Sequence, residues 1–188
     1  MLLVLLACTP RLYSVEETGD LWIPAENDWV QNTPPADLEE EGVSEGEVLN
    51  DFRMADQYGQ EVALWQFYGM TVVVDISTIW CAPCMELAEE VEATYQAYKD
   101  QGVMYLTVLP ENLEYAVPTQ EELASWADAF EITAPVLADA SGWAVEVTPE
   151  GVFPWILVVD ENMRVVVDQV LPPTDAQVKA ELDAVLGN

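Results

Sequence analysis

The chain has 188 residues, 51% of them hydrophobic, and carries 35 acidic against 5 basic side chains for a formal net charge of −30. That length holds one domain with a sizeable core plus additional segments, and that charge repels nucleic acid and anionic membrane surfaces. There is no histidine and there are three cysteines, which excludes Ser-His-Asp and Cys-His catalysis, most zinc and copper sites, and an all-cysteine tetrahedral zinc site. No metal and no cofactor are expected. The acidity reads first as a solvated surface suited to saline surroundings and second as attraction to basic partners.

Residues 1–8 form a short apolar segment, Met1 to Ala7, ending at Cys8. Leu-Leu-Ala-Cys resembles a bacterial lipoprotein signal, which implies lipidation of Cys8 and anchoring of the protein to a membrane by lipid alone. The stretch is shorter than the roughly 15–30 residues of a signal peptide and lacks a basic start, so the start codon is expected upstream. The plain reading is an ordinary apolar N-terminus. No other segment approaches the roughly 20 apolar residues of a transmembrane helix.

Residues 9–46 change character, with prolines at 10, 24, 34 and 35 and the run Leu38-Glu39-Glu40-Glu41. This composition predicts an extended acidic tether. Tyr13, Trp22 and Trp29 are too many aromatics for a pure spacer, so parts are expected to dock on the domain or serve a partner.

Residues 47–188 read as one domain. A short strand is expected to begin at Asp51–Met54, followed by a turn at Asp56–Gln60 and a return through Val62–Trp65 towards Gly69. The run Val72-Val73-Val74-Asp75-Ile76 is a β-branched apolar strand that leads into Trp80-Cys81-Ala82-Pro83-Cys84. A helical pattern follows from Met85 to about Lys99, with Leu87, Val91, Thr94, Tyr95 and Tyr98 on one face and Gly102 as its stop. Strand, CxxC and helix together are the layout of a dithiol redox site. Two intervening residues let one turn hold both sulfurs close enough to form a disulfide. Cys81 then sits at a helix N-terminus, where unpaired N–H groups and the dipole favour a thiolate. Pro83 suits the first turn because its missing N–H would have had no partner there. Asp75 lies in the apolar strand, where an isolated carboxylate is costly. An acid beneath a CxxC has a task that accounts for it: taking the proton of the second cysteine.

Further along, Val103–Leu109 reads as a buried strand, 110–118 as a loop, and Thr119-Gln120-Glu121-Glu122 as the capping-box start of a helix through Phe130. Pro135–Ala138 is a short strand and Ser141–Val147 a helix, with Trp143 expected near the CxxC loop. Gly151-Val152-Phe153-Pro154 precedes an apolar strand to Val159, which turns at Asp160-Glu161-Asn162 into Arg164–Val167. Thr174-x-x-Gln177 caps a last helix carrying Val178, Leu182, Val185 and Leu186. No internal repeat is visible.

Val-Asp-x-x-x-x-Trp-Cys-x-Pro-Cys, with Phe153-Pro154 downstream, resembles the thioredoxin superfamily. The leading hairpin and the extra strand–helix pair before Pro154 are similar to its TlpA/ResA-like, AhpC/TSA-related branch. The resemblance implies an α/β thioredoxin-like fold: a central mixed β-sheet flanked by helices, with an N-terminal β-hairpin and a βα insertion. It implies a thiol–disulfide oxidoreductase acting outside the cytoplasm on protein disulfides, and re-reduced by a membrane electron donor. Cys81 would attack, and Cys84, aided by Asp75, would resolve through a Cys81–Cys84 disulfide. A cis Phe153–Pro154 bond would hold the substrate segment, with Trp80 packed beside the sulfurs. Phe153 is bulkier than the Val or Thr usual at that position. With Ala82-Pro83 offering no cation, the pair is expected to be more reductant than oxidant. Two other readings stay open: a peroxiredoxin-like peroxidase, since Thr78-x-x-Cys81 is similar to its Thr-x-x-Cys although Val74 stands where its proline would be, and a redox-inert binding module whose disulfide is structural.

Overall fold

A computed structural model of the protein describes residues 22–188. The expectations for residues 1–8, including Cys8, and for Tyr13 lie outside the described residues. Seven strands form one mixed sheet: β1 (Arg53–Asp56), β2 (Glu61–Ala63), β3 (Thr71–Ile76), β4 (Val103–Leu109), β5 (Val136–Ala138), β6 (Trp155–Val159) and β7 (Val165–Val167). Their spatial order is β2-β1-β5-β4-β3-β6-β7. Four helices pack with it: α1 (Ala82–Tyr98), α2 (Gln120–Ala129), α3 (Trp143–Val147) and α4 (Asp175–Leu186). This is the thioredoxin-like architecture, with β1 and β2 as the leading hairpin and β5–α3 as the strand–helix pair that precedes Pro154.

β3 is the central strand. It runs parallel to β4 and antiparallel to β6, and all six of its residues are buried. Side chains of a strand alternate between faces. Val72, Val74 and Ile76 enter one core layer with Phe52, Leu64, Phe67 and Met104. Val73 enters the other, with Leu87, Val91, Tyr105 and Ile156. Asp75 is in phase with Val73 and so falls on the α1 side of the sheet.

α1 buries Cys84, Leu87, Ala88, Val91, Thr94 and Tyr98, the stripe expected from the spacing, and Glu86, Glu89 and Glu90 face solvent. The helix tightens into a 3-10 turn over Lys99–Gln101. Gly102 closes it at φ 83°, a left-handed conformation that costs a residue with Cβ. α4 lies against α1, where the Tyr98 hydroxyl donates to Asp183 (2.8 Å) and the Thr94 hydroxyl to Asp175. The capping box of α2 is formed: Glu122 N–H donates to the Thr119 hydroxyl, and Thr119 N–H to the Glu122 carboxylate. Thr174 caps α4 by accepting from Gln177 N–H. Among the element starts that differ from expectation, two have a visible cause. β1 begins at Arg53 rather than Asp51, whose carboxylate instead accepts from Trp65 N–H and the Trp22 indole. α3 begins at Trp143, because Asp139 ties up the preceding turn by accepting from Ser141 and Gly142 N–H.

Residues 22–46 are docked on the leading hairpin rather than extended. Trp22, Trp29, Leu38 and Val43 pack against the core. The Trp29 indole donates to Asp56 (2.7 Å), and Asn32 N–H to the Gln66 carbonyl (2.7 Å). The buried Gln66 amide in turn reaches Asn27 and the Val30 carbonyl. Indole N–H groups need acceptors when buried, and the hairpin supplies them. The packed body therefore extends N-terminally of Glu47 to Trp22.

Asp56 is the pin of this arrangement. It is fully buried and accepts from Tyr58 N–H, Gln60 N–H and the Trp29 indole. Asp56→Ala strands all three donors, and a loss of about 3 kcal/mol is expected in urea unfolding. A loss below about 1 kcal/mol would mean that water replaces the carboxylate.

Candidate active site

The site lies at the C-terminal end of β3. Beyond Ile76 the chain is held by three backbone bonds: Ser77 N–H to the Val108 carbonyl, Ile79 N–H to the Glu111 carbonyl, and Cys81 N–H to the Thr78 carbonyl. These fix the loop that presents Trp80 and Cys81. Cys81 is the N-cap of α1, and its sulfur accepts from Cys84 N–H at 3.2 Å. Cys81 and Cys84 are joined as a disulfide, with Cα atoms 5.2 Å apart. Cys81 keeps 5% of its surface exposed and Cys84 none, so the cap residue is the less deeply buried of the two. The first turn of α1 contains no acidic residue, and Ala82 and Pro83 add no cation.

Asp75 is 1% exposed. Burial pushes its carboxyl up from 3.8 to about 7, and the hydrogen bond from the Ser77 hydroxyl (2.7 Å) pulls in the other direction. Its cross-strand neighbours are Thr107 on β4 and Ile156 on β6. Tyr105, in phase with Thr107, has its hydroxyl pushed well above its ordinary range by burial and by Asp75. The Thr107 and Thr78 hydroxyls are buried with no partner among the described residues. Asp75 therefore sits on the α1 side of the sheet, the side to which α1 turns its buried Cys84, in surroundings that hold its proton affinity near neutrality.

Trp80 is 36% exposed and donates its indole N–H to Glu111 at 3.0 Å. Its ring stands between Tyr115 (centroids 5.6 Å) and Phe153 (5.9 Å, edge-on). Phe153–Pro154 is cis. Trp155, the next residue, pairs with Ile76, so the Pro154 loop and the disulfide share one end of the sheet. Trp143 stacks on Phe52 (4.7 Å) in the layer that also holds Phe153.

The structure thus brings Asp75, Trp80, Cys81, Cys84, Phe153 and Pro154 to one end of the sheet. Ser77, Glu111 and Tyr115 belong beside them. Ser77 was legible as the next in-phase residue after Asp75. Glu111 and Tyr115 lie in a loop without periodicity, and Tyr115 takes a left-handed φ of 58° that nothing in its type announces. Among the described residues no cluster of Cys, Asp or Glu is arranged to hold a metal ion, and no helix is long and apolar enough to cross a membrane.

Comparison with known proteins agrees with this geometry. The AhpC/TSA family model matches residues 46–167. Thioredoxin-like protein YneN of Bacillus subtilis is 27% identical over 55% of this chain, which spans 58% of that relative's length. Thiol-disulfide oxidoreductase ResA of Geobacillus kaustophilus is 27% identical over 68% of this chain and 70% of its own. Among solved structures, the thioredoxin domain of thiol-disulfide oxidoreductase BVU-2223 from Bacteroides vulgatus superposes with a TM-score of 0.64 at 20% identity, covering 76% of this chain and 98% of that one. The chain belongs to the AhpC/TSA family, beside thioredoxin-fold relatives that include thiol–disulfide oxidoreductases.

Proposed function

We propose that the protein is a thiol–disulfide oxidoreductase that reduces protein disulfides outside the cytoplasm. The observation that carries the reading is the disulfide between the helix-cap cysteine and a fully buried partner, on the side of the sheet where a buried carboxyl has its proton affinity raised to near neutrality. In the reduced protein the Cys81 thiolate attacks one sulfur of a client disulfide. A Cys81–client disulfide forms and the other client sulfur leaves as a thiolate. Asp75, as carboxylate, takes the Cys84 proton. The Cys84 thiolate then attacks Cys81 Sγ, expelling the second client thiolate and closing the Cys81–Cys84 disulfide that the structure contains. Two electrons pass from the protein dithiol to the client, and the proton held by Asp75 goes to a departing thiolate. Pro154, Phe153 and Trp80 border the cap sulfur and hold the client segment. A membrane electron donor resets the pair, and lipidation of Cys8 keeps the protein at that membrane. A disulfide chemistry of this kind fits an oxidising compartment.

With Cys84→Ser the second step has no nucleophile, so a client should stay linked to Cys81 and be recoverable by mass spectrometry. In the reduced protein, alkylation should reach Cys81 before Cys84; the reverse order would overturn the assignment.

The resolving step should follow the ionisation of Asp75. Release of a chromogenic thiol from a preformed mixed disulfide on Cys81 should rise with pH through about 7 and level off above it. Asp75→Asn should remove that inflection and slow release about 100-fold. Stability carries the opposite sign. A carboxyl whose affinity for its proton is raised by folding stabilises the native state fully below its unfolded pKa, and that contribution is lost as pH rises to about 7. At about 1.4 kcal/mol per pKa unit, Asp75→Asn should gain a few kcal/mol at pH 8 and almost nothing at pH 4, read from urea unfolding.

The pair should be reducing. Strong dithiol oxidants stabilise their thiolate heavily, whereas here neither Ala82-Pro83 nor any histidine supplies a cation. Equilibration with glutathione should give a potential nearer about −270 mV than about −120 mV. A value above about −180 mV would make the protein an oxidant or isomerase.

A further inference from the structure

A groove of about 290 Å³ opens between the start of α1 and α2. Ile79 and Met85, which flank the Trp80–Cys84 turn in sequence, form one wall. Leu113, Trp126, Ala129 and Phe130 form the other. Trp126 and Phe130 pack with ring centroids 4.7 Å apart, tilted by 57°. The surface is apolar where it is open: Met85 is 36% and Leu113 63% exposed, and Tyr115, against Trp80, is 70% exposed. Contiguous apolar surface of this kind marks a site of contact. Small-molecule pockets run from about 300 to 1,000 Å³, so this groove is sized for one or two side chains rather than for a cofactor.

Its rim is acidic. Glu122 lines the groove, and hydrogen bonds from Thr119 N–H, the Thr119 hydroxyl and Asn112 hold its carboxyl below the usual range. Glu111, Glu114 and Glu121 lie in the same loop and helix start. No basic residue occurs between Lys99 and Arg164, and Lys99 lies just past the far end of a 17-residue helix, about 25 Å from its start at 1.5 Å per residue. A second copy of this chain would bring its own strong negative charge to the rim, and an anionic membrane would be repelled as well. Charge thus selects a basic occupant.

We propose that this groove is a client subsite: it takes a large aliphatic or aromatic side chain a few residues from the reacting cysteine of an extended, basic polypeptide segment. The inference rests on the reading of Cys81 and Cys84 as the redox pair. Ile79 stands two residues before Cys81 and Met85 directly after Cys84. An extended client bound at Cys81 advances about 3.3 Å per residue and so reaches the groove within a few residues. The Pro154 loop then borders the client on the other side of Trp80.

The test uses reduced full-length protein and short cysteine peptides carrying thionitrobenzoate as leaving group. The peptides have Leu or Ala at each position near the cysteine and Lys or Glu as flanks. At one or more positions the Leu peptide should react about tenfold or more faster than the Ala peptide. Lys flanks should exceed Glu flanks, with the difference shrinking as salt is raised. Ala129→Trp and Ser125→Trp, which fill the groove from two exposed positions on α2, should each abolish the Leu preference while the unfolding midpoint confirms the fold. Absence of a Leu preference in the wild type, or its survival in both filled variants, overturns the subsite. The redox reading is checked separately with Cys8→Ser protein and one equivalent of dithiodipyridine. Two pyridinethiones released mean that Cys81–Cys84 has closed, and one released sinks the redox reading itself.

Discussion

β3 is hydrogen-bonded along both edges and covered on both faces, and everything that matters chemically hangs from its C-terminal end. Because β4 and β6 hold it on either side, the backbone leaving Ile76 has little freedom. Two further bonds to the β4 side, from Ser77 and Ile79, carry that order into the loop. Cys81 therefore arrives at the α1 N-terminus in a fixed position. β6 runs antiparallel to β3, so its first residue lies opposite the last of β3, and the Pro154 loop is delivered to the same place. A one-residue shift of β3 would turn Asp75 to the other core layer, away from α1, and would move the CxxC at the same time.

Burying Asp75 works against stability, and the raised proton affinity of its carboxyl records that cost. The Ser77 hydroxyl is the one hydrogen bond the carboxylate receives from the described residues. That single donor leaves the proton affinity near neutrality, where a group can both accept and release a proton. The same economy is visible at the surface. The acids that dominate the composition are mostly solvated, yet several have structural tasks: Asp56 and Asp51 hold indoles of the N-terminal segment, and Asp139 caps the turn into α3.

The acidity also bears on recognition. A chain this negative disfavours self-association and anionic surfaces and favours basic polypeptides. Three of the four cations among the described residues, Arg53, Arg164 and Lys179, are already in ion pairs with nearby carboxylates. Around the disulfide the apolar groove and the aromatic group of Tyr115, Trp80 and Phe153 interrupt the acidic surface.

The sequence by itself determined most of the strands, the capped starts of α2 and α4 and the cysteine pair, because these depend on local rules: apolar β-branched runs, the capping box at Thr119 and the N-cap at Thr174, and the two-residue spacing between Cys81 and Cys84. Asp75 stood out for the same reason, as a charge inside a run that had to be buried. Only the tertiary structure decided what meets across long separations. Residues 9–46 read as an extended acidic tether with its aromatics as docking points, but where Trp22 and Trp29 dock, on Asp51 and Asp56, is decided by the tertiary structure. Glu111 and Tyr115 carry no pattern, since a loop residue gains its partner from the register of the strands on either side. The groove between α1 and α2 is likewise invisible in the chain, because its two walls are more than 25 residues apart and meet only through the packing of both helices on one sheet.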